Sequence, residues 1–111
     1  MIDLEHLEKY VGDDIALRDE ILTIFYEQAE TLSEQFSVTS TDECWRNVAH
    51  ALKGASRGVG SWALGDLCEE AEGMIGGIAG KAEHRAAILV SMRQSIAAAL
   101  AEVRRLRDVA A

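Results

Sequence analysis

The stretch Trp45-Arg46-Asn47-Val48-Ala49-His50-Ala51-Leu52-Lys53-Gly54-Ala55-Ser56 carries two patterns at once. Trp45, Val48, Ala49, Leu52 and Ser56 recur at three- and four-residue steps, the period of a helix and not of a strand. At about 100° per residue, the last four fall within roughly 60° of Trp45 and form one inward stripe. Arg46, His50, Lys53 and Arg57 fall at roughly 80–140° from Trp45, and Gly54 at about 180°. The helix, expected over about residues 41–57, therefore has a polar side that holds a histidine. Three cations share that side, and a bare backbone position lies one turn on.

Outward from this helix, the rest of the chain reads the same way. Residues 3–10 suit a short leading helix that breaks at Val11-Gly12. A second helix is expected over about 14–36, with Asp13 or Asp14 accepting from the free amides of its first turn. Its stripe is Leu17, Ile21, Ile24, Phe25, Gln28, Leu32 and Phe36. Ser40, followed three residues later by Glu43, reads as a capping box for the third helix. Gly58 and Gly60 end that helix. The fourth starts near Ser61, with Leu64, Leu67, Cys68, Ala71, Met74 and Ile75 as its stripe, and ends at Gly76-Gly77 and Gly80. The last, about 81–108, turns Ile88, Leu89, Met92, Ile96, Leu100, Val103 and Leu106 inward. Short connections favour antiparallel neighbours. The expected fold is all-α: an up-down antiparallel four-helix bundle with a short additional N-terminal helix, one domain over residues 1–111.

Composition agrees. A chain of 111 residues has room for one core. It is 49% hydrophobic and 27% charged and lacks proline, which suits an ordered helical protein. The net charge of −8 argues against nucleic acid, whose binding needs a basic surface. Twelve of the nineteen carboxylates lie in residues 1–45, where only Lys9 and Arg18 are basic. The apolar runs read as too short to span a bilayer, and the acidic start has no signal-peptide character, so a cytoplasmic location is expected. Cys44 and Cys68 have no CxxC partners and read as reduced thiols, Cys68 as a small buried hydrophobe. Trp45 reads as core, and so does Trp62, with a partly exposed place on a docking surface as its alternative. His6, His50 and His84 do not lie at ligand spacing, and no metal site is expected.

A glycine inside a helix costs roughly 1 kcal/mol relative to alanine, so Gly54 calls for a packing or functional reason. Clearance is one: without a side chain at 54, another protein can approach His50. Lys53 and Arg57 disfavour the imidazolium form and keep His50 neutral and nucleophilic near pH 7. The same charges suit an anionic phosphoryl group on the ring. Phosphoryl transfer depends mainly on positioning and charge stabilisation. This helix supplies no base and no metal, so a partner would bring the rest. Ile15, Leu22 and Tyr26 on the second helix are candidates for its docking patch.

The run from His50 through Leu52-Lys53-Gly54-Ala55-Ser56, Gly60, Leu64 and Cys68 to Glu72 resembles the histidine-containing phosphotransfer (HPt) domains of bacterial and plant phosphorelays. It spans 23 residues without a gap. The resemblance implies that His50 accepts a phosphoryl group at Nε2, that Lys53 supports it, and that Gly54 leaves space for a receiver domain. It implies a phosphocarrier without kinase activity of its own. Its partners would be response-regulator receiver domains and an upstream hybrid histidine kinase, with any Mg²⁺ on the receiver and no cofactor here. A monomer is expected. Gly60 falls in the turn, and Glu72 near the end of the fourth helix, without an assigned role. Ala55 departs from the family, where serine is common. Arg46, Ser56 and Arg57 are additional candidates from their positions alone.

Two other readings compete. The phosphoacceptor and dimerisation domain of a sensor kinase usually carries a proline shortly after its histidine, and this chain has none. The related domain of chemotaxis kinases would continue into further domains, whereas this chain ends at Ala111. A helical interaction module without phosphotransfer would leave the joint spacing of the motif unexplained.

Overall fold

Asp3, Asp14 and Thr41 each turn a side-chain oxygen onto a free amide and so start a helix. Asp3 Oδ1 accepts from His6 N at 3.2 Å, Asp14 Oδ1 from Leu17 N at 2.9 Å, and Thr41 Oγ1 from Cys44 N at 3.1 Å. The computed structural model describes residues 2–110, with side chains as far as Arg107. It contains five helices: α1 (Leu4–Val11), α2 (Ile15–Gln35), α3 (Asp42–Gly58), α4 (Trp62–Glu72) and α5 (Lys81–Ala110). No strand occurs among the described residues. The all-α expectation holds, short leading helix included.

The four longer helices form a closed ring of neighbours, α2 on α3, α3 on α4, α4 on α5 and α5 back on α2, while α1 packs on α2. Each contributes to one core: Leu22 and Phe25 from α2, Trp45 and Leu52 from α3, Leu64 and Cys68 from α4, Met92 and Val103 from α5. With 30 residues, α5 runs about 45 Å at 1.5 Å per residue and sets the 48 Å long dimension. Gly60 ties the N-terminal segment to the turn after α3. It takes φ +76°, and an added Cβ would stand 2.6 Å from Asp3 Cβ. Its carbonyl accepts from Asp3 N at 3.1 Å.

A buried arginine secures one end of the bundle. Arg85 on α5 is only 2% exposed. Its guanidinium donates to Met74 O at 3.0 Å, Ser40 O at 2.8 Å and Asp42 Oδ1 at 2.7 Å, and lies 4.6 Å from the centre of the Trp45 ring. One side chain thus joins the segment entering α3, the segment leaving α4 and the first turns of α5. Asp42 also takes Lys81 Nζ at 2.9 Å and the Gly76 amide at 2.9 Å. Those two hydrogen bonds, Lys81 first, hold its carboxyl below the usual range.

Several boundaries and faces differ from the sequence expectation. The cap of α3 is Thr41, not Ser40, whose carbonyl is taken by Arg85. Helix α4 stops at Glu72, short of Met74 and Ile75. The carbonyl of Ala71, which a further turn would use, accepts from the Trp45 indole at 2.7 Å. On α2 the inward face centres on Leu22, Phe25 and Ala29, while Leu17 and Ile24 are exposed. That is a rotation of roughly 70° from the expected stripe. Leu22, read as a docking residue, is core. Trp62, read as core, is 41% exposed, edges against His6 and donates to Asp3 Oδ2 at 2.9 Å.

The last helix also corrects the reading of apolar runs. Lys81–Arg107 is long and apolar enough, by length and composition, to cross a membrane, its most apolar 18 residues having a mean hydropathy of 1.4. Ile88, Leu89, Met92, Ile96, Val103 and Leu106 are buried against the other helices, while Val90 is 58% exposed. Alanines raise the hydropathy of its outer side, which also carries Arg93 and Gln94. This is how the core helix of a bundle passes a test of length and composition.

Candidate functional site

His50 stands on the outer side of α3 with its side chain 73% exposed. Its Nδ1 lies 3.2 Å from Glu72 Oε1. Lys53 Nζ, one turn on, lies 2.9 Å from the same oxygen. A carboxylate only accepts, so Nδ1 donates in this pair, and in the neutral ring the lone pair then falls on Nε2. Partial burial pushes the Glu72 carboxyl up, but the hydrogen bonds from Lys53 and His50 outweigh it and hold it below its ordinary range. Glu72 thus stays an acceptor at neutral pH.

The close pairing of α3 and α4 is what brings Glu72 to His50. The Trp45 indole bonded to Ala71 O fixes the last turn of α4 beside α3. Farther along, Arg57 reaches Asp66 at 3.5 Å and Glu69 at 3.4 Å. It crosses α4 over Gly65, where a Cβ would stand 2.9 Å from Arg57 Cγ. Below the surface, burial pushes the Cys68 thiol up to about 12, so it stays protonated and unreactive.

The other side of α3 is open. Apart from its own stretch of helix, nothing lies within 4 Å of where a Cβ would sit on Gly54, so the fold itself does not require glycine there. Ala51 and Ala55 flank it and form one wall of a groove of about 470 Å³, whose α2 wall is Glu27, Gln28, Thr31 and Leu32. Ile24, 48% exposed, lies one turn before Gln28 on α2. Of the expected α2 stripe, Gln28 and Leu32 therefore line this groove and Ile24 is exposed next to it, while Phe25 and Phe36 are buried.

A family model described as "Hpt domain" matches residues 20–108, which take in all of α3 and α4 and most of α2 and α5. The chain belongs to the Hpt domain family. No curated protein and no solved structure gave a significant match. Hpt domains are phosphocarrier modules of phosphorelays, so the match carries histidine phosphotransfer as the general function.

Within this Hpt domain the candidate residues separate into groups. His50 and Lys53 meet at Glu72, and Gly54 lies open beside them. Arg57 is drawn away onto α4. Ser56 faces the core, fully buried, and its hydroxyl donates to Leu52 O at 2.7 Å. Arg46 is exposed and makes no hydrogen bond or ion pair among the described residues. Of the docking candidates on α2, Ile15 is exposed, and the Tyr26 hydroxyl accepts from Arg104 at 2.7 Å. Sequence spacing located Glu72 without a role, because its role depends on a contact between two helices.

Proposed function

We propose that His50 takes a phosphoryl group at Nε2 from the aspartyl phosphate of a receiver domain, or from an upstream histidine kinase, and passes it to another receiver. The contact of Nδ1 with Glu72 carries this reading, because it engages Nδ1 on a 73% exposed ring and makes Nε2 the nitrogen that bears the lone pair in the neutral form. In the forward step the Nε2 lone pair forms the bond to phosphorus. The bond from phosphorus to the aspartate oxygen breaks, and the carboxylate leaves with the electron pair. The ring gains positive charge as the new bond forms, and Glu72 at Nδ1–H offsets it. Lys53 offsets the charge of Glu72 and holds its position. The reverse step uses the same atoms.

The receiver docks over Gly54 and the α2–α3 groove in this proposal. Small residues on α3 and exposed Ile24 on α2 support that face. We read the bundle as a single domain of up-down antiparallel course. Arg18 near the start of α2 donates to Leu106 O near the end of α5 at 3.2 Å, and Trp45 early in α3 meets Ala71 late in α4. A monomeric cytoplasmic carrier without kinase activity completes the reading.

Phosphotransfer profiling tests it: the chain is incubated at short times with each phosphorylated receiver of its own genome. Acid-labile, alkali-stable phosphate on the chain is the expected product, and its absence from every pairing overturns the proposal. Replacing Glu72 by glutamine should slow acceptance by at least ~10-fold, because a neutral amide does not offset the ring charge and can meet Nδ1 as donor as well as acceptor. A rate equal to wild type would remove Glu72 from the mechanism.

Gly54 supplies a two-part prediction. Gly54→Ala should stabilise the chain by roughly 1 kcal/mol, since the position is helical and open. Gly54→Phe should retain the fold but abolish receiver binding by steric block, as read by titration of a cognate receiver. Undiminished binding by the phenylalanine variant would dispose of clearance as the reason for glycine.

A further inference from the structure

Two of the three cations flanking His50 are already engaged within the fold. Lys53 is held on Glu72, and Arg57 on Asp66 and Glu69. Arg46 is the third. It is exposed and unpaired among the described residues. It precedes His50 by four positions, and residues so spaced on a helix are surface neighbours with Cβ atoms about 5–6 Å apart.

Direction matters as well as spacing. Side chains on a helix lean toward its N-terminus, over the preceding turn. The His50 ring therefore leans over the turn that carries Arg46, and the long Arg46 side chain, which leans the same way, folds back to meet a group on the ring.

Charge makes the same demand. A phosphoryl group is nearly dianionic at neutral pH, and the chain already carries −8. Lys53 and Glu72 offset each other, and Arg57 faces two carboxylates. Glu43 on α3 is exposed, and Glu27 lines the groove from α2. Without Arg46, a phosphoryl group on Nε2 would meet a neutral to negative surround. We infer that the Arg46 guanidinium holds the phosphoryl group on His50, donating to its non-bridging oxygens. A guanidinium suits this task, since its planar fork of donors matches phosphate oxygens. The inference rests on His50 being the acceptor.

The test uses the whole chain without any partner. Phosphoramidate serves as donor: its bond from phosphorus to ammonia breaks as the bond to Nε2 forms, and ammonia leaves with the electron pair. The second ionisation of the bound phosphoryl group is then followed by ³¹P NMR against pH. A nearby cation lowers that pKa, so Arg46→Ala should raise it by about half a pH unit. Arg46→Lys should stay close to wild type, and Arg93→Ala on α5 should leave it unchanged. The difference should shrink in 1 M salt, where the screening length is about 3 Å. An Arg46→Ala titration matching wild type, or an equal shift in Arg93→Ala, overturns the role of Arg46. A wild-type resonance that is absent, or that persists in His50→Gln, overturns the acceptor assignment instead, and this inference with it.

Discussion

His50→Gln is expected to accept no phosphate from any receiver while its helical circular dichroism and melting temperature stay those of the wild type. The fold should not notice the change. The ring is 73% exposed, and its side-chain hydrogen-bond partner is Glu72, to which a glutamine amide can also donate. Substitutions on such surfaces usually stay within ~0.5 kcal/mol. The chemistry should be lost entirely. An amide nitrogen has its lone pair delocalised into the carbonyl and does not attack phosphorus at useful rates. No second nucleophile stands ready on this face: the Ser56 hydroxyl is buried and bonded to Leu52 O, and Cys68 is buried and protonated. The other histidines are placed elsewhere, His6 against Trp62 and Tyr10, and His84 beside Gly80. Transfer of labelled phosphate from a receiver measures this directly. Label on the His50→Gln chain would mean that another residue is the acceptor.

Arg85→Ala should destabilise the bundle strongly, by about 3–5 kcal/mol. The loss has identifiable sources. Ser40 O and Met74 O, both half-buried, lose their donor, at up to roughly 1–3 kcal/mol each where water cannot replace it. The space beneath the Trp45 ring empties, which adds a cavity term. Asp42 contributes less, since it is 40% exposed and keeps Lys81. Typical domains are stable by about 5–15 kcal/mol, so a substantial share of the margin goes. Urea denaturation followed by circular dichroism measures it. Arg85→Lys keeps the charge but not the three-way fork, and should recover only a minor part. A midpoint for Arg85→Ala equal to wild type would show that the arginine does not hold the three segments together.

How legible each helix was depended on how one-sided its apolar residues are. In α3 the stripe Trp45, Val48, Ala49, Leu52 and Ser56 is bounded by charged and polar residues, and all five are buried as expected. In α2 apolar residues occur around most of the helix. Spacing favoured Leu17 and Ile24, yet Leu22 and Ala29 face inward. The small Ala29, wholly buried, suits the face where α2 packs between α3 and α5. Trp62 shows the same limit of local pattern, because its exposure depends on how α1 packs and on the hydrogen bond from its indole to Asp3.

Local spacing alone determined the five helices, the inward stripe of α3, and the grouping of His50 with Lys53 and Gly54. Each of these rests on residues within a turn or two of one another, where helix geometry leaves little choice. Only the tertiary structure decided what His50 touches. Glu72 lies 22 residues away and reaches His50 because Trp45 and Arg57 hold α4 against α3. The same packing took Arg57 and Ser56 out of the site, left Arg46 unengaged, and turned Ile24 from a core residue into surface. Which of several nearby cations and apolar residues faces the histidine is set by the rotation and approach of neighbouring helices. Those depend on contacts made across the whole core.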